Sequence, residues 1–239
     1  MGIALLRNRT YILLGICIYA GFLVATLPAA LLNSITDGAV RFANTQGTLW
    51  HGTATIGIYG KAAGEISWKI TAYEILLGKL HAEVTEQGEP GPTDVMLSSS
   101  GLELKHVSLT LPAAIMSVLG KQMHAIETGG ELHAKAEDFV LSKASKGEMV
   151  IEWTNASSPL SHVNPLGTYR IHVKGSGTGL EIALETLHGE LSLQGNGSWT
   201  ERGGMRFSGT GESKNEGISE LLRITGNPVG PGRYALKVP

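Results

Sequence analysis

Histidine, carboxylate, serine and cysteine are the side chains from which this chain could assemble a catalytic or metal centre, and their spacing speaks against one. The eight histidines stand at positions 51, 81, 106, 124, 133, 162, 172 and 188, with no His-Glu-x-x-His pattern and no cysteine pair to complete a zinc ligand set. His81, His133 and His172 alternate with apolar residues, which places them on solvated strand faces. The single cysteine, Cys17, lies in an apolar run, so no intrachain disulfide can form. Gly175-Ser176-Gly177-Thr178-Gly179 has the composition of a phosphate loop but lacks its Lys-Ser/Thr pair and fits a hairpin turn. Ser98-Ser99-Ser100-Gly101 lacks the Gly-x-Ser-x-Gly elbow that presents a nucleophilic serine. No catalytic residue, metal or cofactor is therefore expected, and no enzyme.

The elements carrying these residues fall into two unlike parts. Between Thr10 and Thr36 no residue is charged, and Tyr11–Leu32 is almost wholly apolar. About 20 such residues in a helix rise roughly 30 Å, the hydrocarbon thickness of a bilayer. Arg7 and Arg9 precede the run and Asp37 is the first acidic residue. The positive-inside rule then puts residues 1–10 in the cytoplasm, residues 11–32 across the membrane, and the body in the periplasm of a Gram-negative cell. A cleaved signal peptide is the alternative. Its apolar region is ordinarily shorter, and Leu27-Pro28-Ala29 sets a bulky leucine where processing needs a small residue.

Beyond the anchor, period-two alternation recurs at Leu80–Val84, Leu102–Lys105, Leu132–Ala136, Ile171–Lys174, Leu191–Gln194 and Tyr234–Val238. Glycines and prolines at Gly88–Pro92, Gly175–Gly179 and Gly195–Gly197 punctuate these runs as turns. Short helices are expected at Pro112–Leu119 and Ile218–Ile224, the latter closed by Gly226 and Pro228. The fold class is thus one N-terminal transmembrane helix followed by a mainly-β body, an antiparallel meander with small helical inserts. Taking Arg7 and Arg9 from the 19 basic residues leaves 17 against 21 acidic, which gives no footprint for nucleic acid.

A faint repeat runs through the body. A strand ends in Trp68 and is followed by Leu77-Gly78 and an alternating strand; another ends in Trp153 and is followed by Leu166-Gly167 and the same. Duplication would give two related lobes, 40–111 and 130–239, joined by a helical connector at 112–129. Turn chemistry shared by any two hairpins of an all-β protein is the alternative. In Gly47-Thr48-Leu49-Trp50-His51-Gly52, the glycines suit turn or bulge positions bounding a short strand. Trp50, Trp68 and Trp153 are either core anchors whose indole N–H needs an acceptor, or the lining of a groove for a partner strand or acyl chain.

In this order behind one apolar segment, Leu27-Pro28-Ala29-Ala30, Gly47-Thr48-Leu49-Trp50-His51-Gly52, Trp68 with Leu76-Leu77-Gly78-Lys79-Leu80, Leu111-Pro112-Ala113, Trp153 before Pro165-Leu166-Gly167, and Gly232-Arg233-Tyr234 resemble the type II secretion system protein N family. The resemblance implies a non-enzymatic accessory component of the inner membrane, with other secretion subunits as partners and no catalytic residues to carry over. Exposed strand edges would offer such partners a ladder of unpaired backbone groups. A weaker likeness, to membrane-anchored β-rich proteins that move lipid between the envelope membranes, implies an apolar trough instead.

Overall fold

The alternating runs pair with one another in the order in which they are written. The computed structural model describes residues 15–16, 18–34, 40–58, 61–119 and 126–238. Within them, fourteen strands form one sheet: β1 (Val40–Gly47), β2 (His51–Ile58), β3 (Lys61–Ile70), β4 (Lys79–Glu86), β5 (Thr93–Ser98), β6 (Gly101–Pro112), β7 (Gly129–Ser142), β8 (Lys146–Ser157), β9 (Gly167–Gly175), β10 (Gly179–Gly189), β11 (Ser192–Thr200), β12 (Gly204–Glu212), β13 (Gly226–Gly230) and β14 (Arg233–Val238). Every described pairing is antiparallel. Each strand lies beside its sequence neighbours as far as β12, which pairs with β14 and leaves β13 at one edge and β1 at the other. The expected meander is the observed one. The pairing continues from β6 to β7, across the expected boundary between the two lobes.

Helical inserts are few. Among the described residues of the body, 3-10 helices span Ala29–Ser34 and Ala113–Leu119, and α-helices span Ala72–Ile75 (α1) and Glu216–Thr225 (α2). Pro112 closes β6 rather than opening a helix, and the turn begins at Ala113. Gly226 ends α2 in an extended conformation (φ −147°) and leads straight into β13. Residues 120–125 of the expected connector lie outside the described residues.

Near the N-terminus, residues 15, 16 and 18–25 are helical, and their apolar side chains (Ile16, Ile18, Tyr19, Phe22, Val24) are exposed. No helix among the described residues is long and apolar enough to cross a membrane. The expected cytoplasmic segment 1–10 and residues 11–14 and 17 of the expected anchor lie outside the described residues. The last part of the apolar run belongs to the sheet: Pro28 bridges to Thr48, and Ala29 is buried with Ala54 and Trp68.

Register fixes which side chains share a face, because directly opposed residues point the same way. From β6 to β12 one row reads Leu109, Ala134, Ile151, Ile171, Leu184, Gly195 and Gly209. The row above it runs from Leu111 through Leu132 and Trp153 to Tyr169. This face is apolar apart from Thr186, which stands opposite Tyr169. Opposite it, the rows carry Thr110, His133, Glu152 and Arg170, and then Ser108, Lys135, Val150 and His172. One correction follows. Gly195–Gly197 is no turn but the middle of β11, where the Phe207 ring lies so close that a Cβ at Gly195 would stand 2.5 Å from its tip. Glycine here makes room for an aromatic ring laid against the strands.

Among the described residues the buried apolar side chains fall into three separate clusters. The first joins the 3-10 turn after Pro28 to Trp68 and Phe42; the second seats Ala113 and Met116 on Leu132; the third seats Ile218, Leu221 and Leu222 of α2 beside Leu166 and Leu191. The second and third cover the upper part of the apolar face. Ile151, Ile171, Leu184, Val173 and Ile182 remain half-buried.

Candidate functional site

The Gly47–Gly52 segment is where the apolar helix meets the sheet. It is not the short strand its sequence suggests: Gly47 ends β1, residues 48–50 bend, and His51 opens β2, with Gly47 paired to Gly52. Gly47 holds φ +87°, and a Cβ there would strike the His51 carbonyl at 2.4 Å, so a side chain is excluded twice over. Thr48 closes the bend, its N–H donating to the His51 carbonyl at 2.9 Å.

The bend reaches back to the helix. Trp50 donates its indole N–H to the Val24 carbonyl at 2.7 Å, and the Leu49 N–H donates to the Leu27 carbonyl at 2.8 Å. Carbonyls in the last turn of a helix lack their regular partner; that of Val24 accepts a long bond from the Leu27 N–H at 3.3 Å, and the indole adds a shorter one. From Trp50 the connection passes on, since its carbonyl accepts from the Ile70 N–H at the end of β3. Trp68 packs beneath, 5% exposed, donating to the Leu49 carbonyl at 3.0 Å and meeting Phe42 edge-on at 6.4 Å. Gly52 leaves the space that its ring needs: a Cβ would lie 2.6 Å from the ring edge. Thus the Gly47–Gly52 element, with Trp50 in it, and the downstream Trp68 form one joint.

The second set lies elsewhere. Trp153, half-buried on β8, donates to the Gly129 carbonyl at 2.9 Å and packs on the Ala113–Leu132 cluster, with the Tyr169 ring 5.4 Å away. Tyr169 is fully buried and donates to the Leu191 carbonyl, and burial holds its hydroxyl above the usual tyrosine range. The two glycines of the repeat differ. Gly78 adopts φ +72° in open space, whereas Gly167 is wedged in the sheet, where a Cβ would lie 2.7 Å from the His188 carbonyl.

The polar face carries ordered charge. Arg170 binds Glu152 at 2.9 Å and reaches Glu185 at 3.4 Å, while Lys174 binds Glu148 at 2.8 Å. The hydrogen bond from Arg170 holds Glu152 below the usual carboxylate range, and that from Lys174 does the same for Glu148. Glu86 moves the other way. Burial raises its carboxyl although the Thr110 N–H donates to it at 2.6 Å. His133 lies between the Thr110 and Thr154 hydroxyls at 3.0 and 3.2 Å, and His81 between Glu74 and Asp94. These histidines sit on the polar side but are tied into it; His172 is exposed there. Among the described residues no three metal-binding side chains gather at one point.

Sequence reasoning missed Asn33. Its side chain donates to the Phe42 carbonyl and accepts from the Phe42 N–H, both at 2.8 Å, imitating a neighbouring strand on the free edge of β1. A bulge between Ala43 and Gln46, with Asn44 at φ 52°, deforms the same edge. The opposite edge, β13, is five residues long and contains Pro228. Both edges are blunted against further pairing, so the expected strand-edge route to partners is unfavourable.

An open antiparallel meander with one apolar face, joined by its first hairpin to an apolar helix, is the class of protein these features define. Residues 38–237 match the type II secretion system (T2SS) protein N family. The chain belongs to that family, and its type II secretion context follows from membership. Comparison with curated proteins and with solved structures found no match.

Proposed function

We propose that this protein is a non-enzymatic accessory component of the type II secretion pathway. Its N-terminal helix holds it in the inner membrane, and its sheet stands in the periplasm to engage other subunits of the system. The observation that carries the reading is the half-open apolar face. Ile151 packs against the Ala113 cluster, and beyond it Ile171 and Leu184 stay half-buried and belong to none of the three apolar clusters. An apolar face of this kind marks a binding surface. The blunted edges direct binding to that face rather than to strand addition.

The same rows support a second reading, in which the face receives an acyl chain and the protein carries lipid between the envelope membranes. One experiment separates the two. A photo-crosslinking residue placed at Ile171 in the full-length protein in intact cells should capture another inner-membrane secretion subunit, identified by mass spectrometry. Capture of lipid alone would overturn the first reading in favour of the second, and capture of neither would remove both.

A further inference from the structure

We propose that the β3–β4 connection is a second membrane contact, inserting Tyr73, Ile75, Leu76 and Leu77 into the lipid interface beside the exit of the N-terminal helix. The inference rests on the inner-membrane reading above. Leu76 is 89% exposed, Leu77 72% and Tyr73 67%, and Ile75, Leu80 and Leu97 extend the patch. These side chains are not exposed for want of structure. Thr71 donates its N–H to the His81 carbonyl, and successive bonds from the N–H groups of Glu74, Leu76, Leu77 and Gly78 wind the segment into a tight turn.

Two further observations point to lipid. The only carboxylate in the turn, Glu74, is folded back, its Oε1 3.3 Å from His81 Nδ1 on β4, so the outward surface of the turn carries no negative charge. Lys79, exposed, follows directly, placing a cation where anionic headgroups would lie. The position is equally telling. Trp50 binds the last turn of the helix through its indole and the end of β3 through its carbonyl, and one residue beyond β3 the apolar turn begins. The exposed apolar helix and the exposed apolar turn therefore leave the sheet at the same end, two strands apart. One membrane plane can receive both, with Trp50 and Tyr73 at the depth that aromatic residues favour. Two contacts fix the tilt of the sheet on the membrane, which a single helix would leave free to swivel.

The test uses the full-length chain carrying Cys17→Ser and one new cysteine, labelled with an environment-sensitive fluorophore and reconstituted in vesicles of phosphatidylethanolamine and phosphatidylglycerol. Leu76→Cys should show blue-shifted emission that lipids with nitroxides on the acyl chain quench. Gln87→Cys, one residue beyond the far end of β4, should stay water-like. Phe22→Cys reports on the helix. Quenching at position 22 without quenching at 76 would overturn the proposal and leave the anchor standing; quenching at neither would overturn the anchor reading and the proposal with it. A blue shift at 76 that acyl-chain nitroxides do not quench would mean that protein covers the turn, and also overturns it. Adding Leu77→Asp should bring position 76 close to the Gln87 control while position 22 remains quenched.

Discussion

Gly52 is the residue on which the joint between helix and sheet turns. Its missing side chain admits the Trp68 ring, which in turn holds the carbonyl of Leu49 beside the helix end. Gly52→Ala puts a methyl group 2.6 Å from that ring and 2.5 Å from the Gln46 carbonyl, a clash in which the backbone partner cannot move aside. We expect a loss of about 1–3 kcal/mol, the range for overpacking a filled site. Urea denaturation followed by tryptophan emission would measure it, and an unchanged midpoint would show that the ring is not held. Glu86 makes a different residue-scale prediction. Its carboxyl is raised by burial, so the folded chain keeps a proton that the unfolded chain has already released. Stability contributed this way is present below the unfolded value and is lost as pH rises through the raised one. Glu86→Gln keeps an oxygen for the Thr110 N–H and removes the charge. Its stability relative to the parent should therefore increase from pH 4 to pH 7, and a difference independent of pH would refute the assignment.

At the scale of elements, α2 is the piece whose removal should cost most for its length. Asn215 caps it by accepting from the Gly217 N–H at 3.0 Å, and Ile218 and Leu222 are fully buried below. Leu222 lies over Gly211, whose absent Cβ would stand 2.6 Å from it, so the helix is seated directly on β12. Leu222→Ala should cost about 2–5 kcal/mol and Asn215→Ala about 1 kcal/mol, both read from thermal unfolding. Equal effects would mean that the helix is held by its cap rather than by its packing. The elements also show what the amino-acid order discloses. Strands with alternating polarity, such as β4, β7 and β9, are legible because one face is apolar and the other charged. β12 is not: Gly-Met-Arg-Phe-Ser-Gly-Thr-Gly-Glu has low strand propensity, and its place is decided by β11 and β14 on either side. Likewise Gly195 and Gly197 look like punctuation until the Phe207 ring is seen against them. Of the candidate residues, the tryptophans are legible as anchors in need of an acceptor, but each acceptor is a backbone carbonyl, which no residue type announces. Asn33 is illegible for the same reason, being one polar residue among many until the edge of β1 comes to lie beside it.

The whole molecule is a sheet without a centre. Nearly every strand pairs only with its neighbours in sequence, and the three apolar clusters touch different parts of the meander. Such an arrangement resembles a repeat array more than a globule: stability is shared between adjacent strands, and parts of it can open without the rest. The longest strands are β6, β7 and β8, with 12, 14 and 12 residues, and they adjoin one another. If the expected lobes, 40–111 and 130–239, opened as independent units, the weakest place would be the β6–β7 ladder between them. That ladder instead pairs from Gly101↔Ser142 to Pro112↔Glu131, the full length of β6. Native-state amide hydrogen exchange should therefore find the greatest protection in β6–β8 and progressively less toward β1 and β13. Protection that drops sharply at β6–β7 would favour two lobes, and uniform protection across all strands would mean that the sheet unfolds as one. A graded result has a consequence for function. The half-covered apolar rows, on β8 to β10, would then present a firm surface to a partner, while the joint with the helix, built on β1 to β3, would lie where the sheet opens more readily.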